Sequence, residues 1–384
     1  MKKIYFDNAS TTKVDGRVLE AMLPYFDEKY GNASSQHLIG EEANFALGKS
    51  RKQIAKAIGA NREEIFFTSG GTESNNLALK GLFFSNYPEK DHIITTKIEH
   101  DSILNVCKWL EKKGAKVTYL DLDKEGFINL QELEKTITDK TFLVSIIHGN
   151  NEIGTIQNLE EIGKICKEKK VLFHTDSCQS FTKTFLDVKK QNLDLVSLNS
   201  HKIHGPKGVG ALYIKQGIKI IPLAHGGGHE SGLRSGTENI SGIVGFAKAV
   251  DIANNKDVKN MEKLRDKLIE GLLEVSNITL NGPRGNRLCN NINISFNNIE
   301  GEAIGGYLEE LGIYTSTGSA CMSHSLESSH VLKAIGTSPV QSNSSLRISI
   351  SKFTTEEEVD YFLKEIPRIV EKLRKISPLV NKNG

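Results

Sequence analysis

Between about residues 64 and 222, short apolar runs alternate with stretches of helical periodicity, and this alternation limits the fold more than any other feature of the chain. Ile65-Phe66-Phe67-Thr68 is followed by a helical pattern over 73–84, and His92-Ile93-Ile94-Thr95 by one over 102–112. An apolar run over 141–147 precedes a helical pattern over 159–169, and further runs at 171–174, 195–198 and 211–214 complete the series. Strands that alternate with helices imply crossover units and a mainly parallel sheet, an α/β fold. Ligands of such sheets bind beyond the carboxyl ends of the strands. Thr72, His100, Asn151, Asp176 and Lys202 each lie just past an expected strand, so a single crevice can collect them.

After residue 222 the pattern changes. Helices are expected over 240–253 and 261–275, with a break at Asn254-Asn255-Lys256. A strand at Asn291-Ile292-Asn293-Ile294-Ser295-Phe296, a helix near 302–311, a strand at 346–350 and an amphipathic helix over 355–375 follow. A chain of 384 residues is long enough for two domains. The expected division is a large domain over 16–255 and a smaller α+β domain made of 1–15 and 256–384.

Charge is nearly balanced, +2 from 49 basic and 47 acidic residues, with no basic stripe interleaved with aromatics. Nucleic acid is therefore not an expected partner. The first residues turn polar at Asp7, without the apolar core of a signal peptide. The apolar runs are strand length, too short to span a bilayer, so a cytoplasmic protein without membrane contact is expected. The five cysteines, at 107, 166, 178, 289 and 321, are scattered without a C-x-x-C pair, which argues against a disulfide framework or a zinc knuckle. Four of them, Cys178 included, read as small apolar core residues. His225 and His229 flank three glycines, off any helix, and give no zinc signature; no metal is expected.

Asp176 and Lys202 carry the chemistry. Val171-Leu172-Phe173 leads into the acid, and Leu195-Val196-Ser197-Leu198 leads into the lysine. Pyridoxal phosphate needs such a pair: an amine for the Schiff base and a carboxylate that keeps the pyridine nitrogen protonated. Lys207, in a Pro/Gly turn, is the less suitable lysine. Thr68-Ser69-Gly70-Gly71-Thr72-Glu73 passes from strand to helix, where Gly71 lets the backbone approach a phosphate and Thr72 adds a hydroxyl. His100, at the head of a helix, can stack on a cofactor ring and move protons. Arg347, within a strand, suits a substrate carboxylate, an ordinary ion pair being the alternative. Cys321, in Ser316-Thr317-Gly318-Ser319-Ala320-Cys321, is a nucleophile candidate if it is a thiolate.

These residues resemble those of the NifS/IscS-type cysteine desulfurases, a branch of the aminotransferase-like pyridoxal phosphate enzymes. The resemblance runs from Tyr5-Phe6-Asp7-Asn8-Ala9 through Thr72-Glu73-Ser74-Asn75-Asn76, Glu99-His100, Asn150-Asn151-Glu152-Ile153-Gly154 and His201-Lys202. It continues with Gly226-Gly227-Gly228, Arg234-Ser235-Gly236-Thr237, Ser319-Ala320-Cys321 and Leu346-Arg347. It implies a fold-type I transferase with a mainly parallel seven-stranded sheet, and a long cysteine loop at about 316–330 in the small domain. Lys202 would hold pyridoxal phosphate, Asp176 would pair with its ring nitrogen, and Gln179 would bond its ring hydroxyl. His100 would stack on the ring. Thr72 and His201 would bind phosphate, with Thr237 supplied by the other subunit of a homodimer. Asn199 stands where the family commonly has a phosphate-binding serine, and its amide can still donate.

Asn151 and Arg347 would place the carboxylate of L-cysteine. Cys321 would take the sulfur as a persulfide and leave L-alanine. A sulfur-accepting protein, such as an iron–sulfur scaffold or the tRNA-thiolation machinery, is the implied partner. The alternatives are a selenocysteine lyase, an aminotransferase of the same fold, or a non-catalytic sulfur-trafficking scaffold.

Overall fold

The computed structural model describes residues 3–317 and 328–377. Its strands in chain order are β1 (Ile4–Tyr5), β2 (Ile65–Thr68), β3 (His92–Thr96), β4 (Lys116–Leu120), β5 (Thr141–Ser145) and β6 (Leu172–Asp176). They continue with β7 (Leu195–Asn199), β8 (Gly210–Ile214), β9 (Ile278–Leu280), β10 (Asn291–Phe296), β11 (Ile313–Tyr314) and β12 (Ser345–Ser349). The central sheet has seven strands in the order β2-β8-β7-β6-β5-β3-β4. β8 runs antiparallel to both neighbours, and the pairs among β7, β6, β5, β3 and β4 are parallel. Crossover helices Gly71–Asn86, Asp101–Glu111, Leu130–Thr136 and Leu159–Glu168 return the chain from each strand to the next. The fold is the expected α/β architecture.

Why these strands are legible is plain from their burial. β3, β5, β7 and β8 are buried along their whole length, since helices cover both faces of a parallel sheet. β4 departs from that rule. Its Lys116-Val117-Thr118-Tyr119-Leu120 alternates polar and apolar at the sheet edge and is only partly buried, so a search for apolar runs passes over it. Helix Leu38–Ala57 is also absent from the sequence expectation. It buries mainly small residues, among them Gly40, Ala43, Ala46 and Ser50, while Leu38 and Phe45 are exposed, so large apolar residues do not mark its inner face. The expected break at 254–256 shrinks to a cap: Asn254 accepts from the Asp257 amide, and helix Asn255–Leu273 starts one residue later.

A second hydrophobic core forms around the antiparallel sheet β12-β10-β9, with Leu264, Leu268, Ile292, Ile294, Phe296, Ile348 and Phe362 among its members. Ile4 and Phe6 belong to this core, whereas Val18 and Met22 belong to the core under the central sheet. The segment between them must therefore cross from one core to the other. Its backbone is held on the way by β12, where the Asn8 amide donates to the Ser349 carbonyl at 3.1 Å and the Ala9 amide to Ser349 Oγ at 2.8 Å.

Candidate active site

The crossing segment roofs a cavity of about 280 Å³ at the carboxyl ends of the central strands. Ala9, Ser10, Gly71, Thr72, Asn75, His100, Asn151, Asp176, Cys178, Gln179, Asn199, His201, Lys202 and Arg347 are among its lining residues. The structure thus gathers the five residues predicted from strand ends, together with Gly71, Gln179, Asn199, His201 and Arg347.

The phosphate end is a helix start. Gly70 has φ +152°, a conformation that favours glycine, and helix Gly71–Asn86 begins directly after it without a side-chain cap. Its unpaired amides and the Thr72 hydroxyl form an anion-binding group. A Cβ on residue 71 would lie 2.5 Å from Cys178 Sγ, so glycine is required there for packing as well. Glu73, one residue beyond Thr72, accepts from the Ser69 amide at 2.7 Å and from Arg234 Nε at 2.9 Å, which ties the turn to the glycine-rich loop.

Asp176 is buried at the end of β6. Its Oδ1 accepts from the Cys178 amide at 2.9 Å and its Oδ2 from Asn75 Nδ2 at 2.7 Å. Lys202, in the turn after β7, donates to the Ala9 carbonyl and, at 2.6 Å, to the Ser10 carbonyl. Gln179 donates to the same Ala9 carbonyl at 2.8 Å. His201 meets Thr11 Oγ1 at 3.1 Å, and burial, with Lys202 next in weight, lowers its pKa to about 4, so the ring is neutral near pH 7. Cys178 is an inert wall: burial and the Asp176 charge raise its thiol pKa well above the ordinary value.

Arg347 forms the outer wall. Its Nη2 donates to Asp7 Oδ1 at 2.9 Å and to Ser10 Oγ at 2.7 Å, and Nη1 reaches the Asn151 carbonyl at 3.4 Å. The ion-pair alternative and the cavity-facing role therefore hold for the same side chain. Its Nε is buried without a partner among the described residues, a donor still to be satisfied. Backbone bonds join Arg347 to Ser316 at 2.7 and 3.2 Å. Cys321 lies outside the described residues. On the far side of that segment, Ser329 donates to Glu152 Oε2 at 2.5 Å, and burial raises the pKa of Glu152.

Thr237 is exposed and does not line this cavity. Sequence reasoning missed Ala9, Ser10, Asn75, Ser102 and Asp7. Asn75 had a usable signal, since it lies one helical turn after Thr72 on the same face. Ala9 and Ser10 had none, because nothing local says that they roof strand ends nearly two hundred residues away.

The chain matches the family model described as aminotransferase class-V over residues 4–362. The chain belongs to that family. Similar class-V proteins include a cysteine desulfurase IscS from Methanosarcina thermophila, 50% identical over 99% of this chain and 95% of the relative. One from Clostridium botulinum is 48% identical over 98% of this chain and 97% of the relative. Among solved structures, a NifS-like protein superposes with TM-score 0.91 at 45% identity, covering 97% of this chain and 100% of that one. A structure described as SspA in complex with cysteine has TM-score 0.83 at 39% identity, covering 92% of this chain and 100% of that one. Class-V membership accounts for the fold and for dependence on pyridoxal phosphate.

The residues present fit that cofactor. Asp176 offers a carboxylate, Lys202 an amine, and the Gly71 helix start an anion seat. Asn199 Oδ1 is buried at the cavity wall without a partner among the described residues, and an anion there is met by the N–H end of the same amide.

Proposed function

We propose that the chain is a pyridoxal phosphate-dependent cysteine desulfurase. It converts L-cysteine and the Cys321 thiolate to L-alanine and a Cys321 persulfide. The single observation that carries the reading is the convergence of Lys202, Asp176, His100 and Arg347 on one cavity, in a chain 50% identical to a desulfurase along its length.

When bound, pyridoxal phosphate supplies an electron sink for the substrate's carbon atoms. Lys202 would hold its aldehyde carbon, Asp176 its ring nitrogen, and Gln179 its ring hydroxyl. Thr72, Gly71, Asn199 and His201 hold its phosphate, and Thr237 adds to them from the second subunit of a homodimer. His100, on the cavity wall, would stack on the ring and move protons. Arg347 and Asn151 place the substrate carboxylate, a pairing that an arginine fork serves better than an ammonium. Cys321 attacks the substrate sulfur: the carbon–sulfur bond breaks, a sulfur–sulfur bond forms, and the released carbon takes up a proton. The described flanks of its segment support this role, since Ser316 is bonded to Arg347 and Ser329 to Glu152 beside Asn151.

The large domain, 16–255, would hold the cofactor, and the small domain, 1–15 with 256–384, would carry Cys321. The persulfide would pass to an acceptor protein such as an iron–sulfur scaffold or a tRNA-thiolation enzyme, in the cytoplasm. Among the described residues, no helix is long and apolar enough to cross a membrane.

The test is incubation of the purified protein with L-cysteine and a thiol reductant. Many turnovers of alanine, matched by sulfide, are expected. Cys321→Ala should keep the cofactor colour and lose both products. Pyridoxamine and a keto acid in place of alanine would sink the reading in favour of amino transfer.

A further inference from the structure

Behind the cavity, a continuous chain of hydrogen bonds runs from Asp176 through Asn75 and Ser102 to His100. Its polarity is set at one end. A carboxylate only accepts, so Asn75 must turn its amino group, and not its carbonyl, toward Asp176 Oδ2 at 2.7 Å. The second N–H of the same Nδ2 goes to Ser102 Oγ at 2.8 Å. Ser102 therefore keeps its hydroxyl proton for His100 Nδ1, 2.8 Å away. The Ser102 backbone N–H converges on that nitrogen too, at 3.1 Å, because His100 caps helix Asp101–Glu111. With two donors aimed at it, Nδ1 has no place for a proton, and the proton of the neutral ring belongs on Nε2.

The orientation of Asn75 carries a visible cost. The residue is wholly buried, and its Oδ1 has no partner among the described residues. An acceptor left unsatisfied in the interior is destabilising. Flipping the amide to relieve it would set oxygen against the Asp176 carboxylate and remove the donor from Ser102.

We propose that Asn75 and Ser102 are positioning residues that carry the acceptor demand of Asp176 to His100 and hold its imidazole in the Nε2–H form. His100 then meets the contents of the cavity first as a donor. Its tautomer answers to the residue placed for the cofactor ring nitrogen, although the two side chains arise from different strands. The use made of His100 rests on the proposed function. The tautomer does not.

The experiment uses the full-length, cofactor-loaded protein labelled with ¹⁵N-histidine. Its ring nitrogens are read by NMR, with the His100 signals assigned by their loss in His100→Gln. Wild type should show one tautomer, with Nδ1 unprotonated and Nε2 protonated. Ser102→Ala and Asn75→Leu break the chain at separate links, and each should yield both tautomers. Ser102→Thr keeps the hydroxyl and should restore the single form. A protonated Nδ1 in wild type overturns the proposal. So does an unchanged single tautomer in Ser102→Ala, because the backbone N–H would then suffice alone. Should Asn75→Leu fail to fold, the Ser102 pair decides. Absence of alanine formation alongside the single tautomer would count against the desulfurase reading and leave this inference standing.

Discussion

The floor and the outer wall of the cavity are built in different ways. The floor comes from strand ends of one sheet: Thr72 after β2, His100 after β3, Asn151 after β5, Asp176 at the end of β6 and Lys202 after β7. The wall joins the two ends of the chain, with Arg347 of β12 bonded to Asp7 and Ser10, more than three hundred residues earlier. The floor is fixed by the register of buried parallel strands. The wall depends on long-range polar contacts. Cofactor binding should therefore follow the floor, and substrate recognition the wall.

Removing Lys202 gives the sharpest test of this division. Lys202→Ala should abolish the cofactor's lysine-bound absorbance and lower alanine formation by ~10³-fold or more. Arg347→Ala should keep the absorbance and lower kcat/KM for L-cysteine by about 100-fold, mainly through KM. A variant at 347 that lost the cofactor would erase the distinction between the two regions.

Acid should attack the floor first. Burial lowers the pKa of His148 to about 3 and that of His174 to about 4, from an ordinary 6.5. Between pH 6.5 and about 4 the unfolded chain binds protons there that the folded chain refuses, so stability falls as pH falls, by up to ~1.4 kcal/mol per pH unit for each ring. Glu99 acts the other way. Burial lifts its pKa from 4.5 to about 8, so it binds a proton on folding and offsets part of the loss over the same range. Urea midpoints measured from pH 7 to 4.5 should decline, and His148→Gln should flatten the decline.

Smaller effects refine each region. Gly71→Ala should cost about 1–3 kcal/mol through its clash with Cys178, and adding Cys178→Ala should recover most of it. Equal losses with and without Cys178→Ala would place the cause elsewhere. Asp7→Asn keeps the Ser10 and Asn151 contacts to Arg347, so a change of only a few-fold in KM for L-cysteine is expected.

The same contrast explains what the sequence discloses. Residues of the floor announce themselves, because a polar side chain directly after a buried apolar run is a local signal. Asp176 after Leu172-Phe173-His174-Thr175 and Lys202 after β7 are of this kind. Arg347 was legible as a candidate, but its partners Asp7 and Ser10 were not, since tertiary crossing and no nearby pattern brings them there. Edge strand β4 and helix Leu38–Ala57 escaped for a related reason: one is half exposed, and the other packs through small residues. Thr237 has a motif but no place in the cavity of a single chain, which is where a second subunit would be needed.

The roof over Lys202 also orders events during synthesis. Ile4 pairs with Ile313 in β11, and the Ala9 amide is held by Ser349 in β12. A ribosome makes this segment long before its neighbours, which follow Ile4 by 309 positions and Ala9 by 340. The floor can be complete while the roof still waits. A nascent chain that has not yet reached β12, however well its central sheet has formed, lacks the strand that holds the lid over Lys202, so the catalytic chamber closes late.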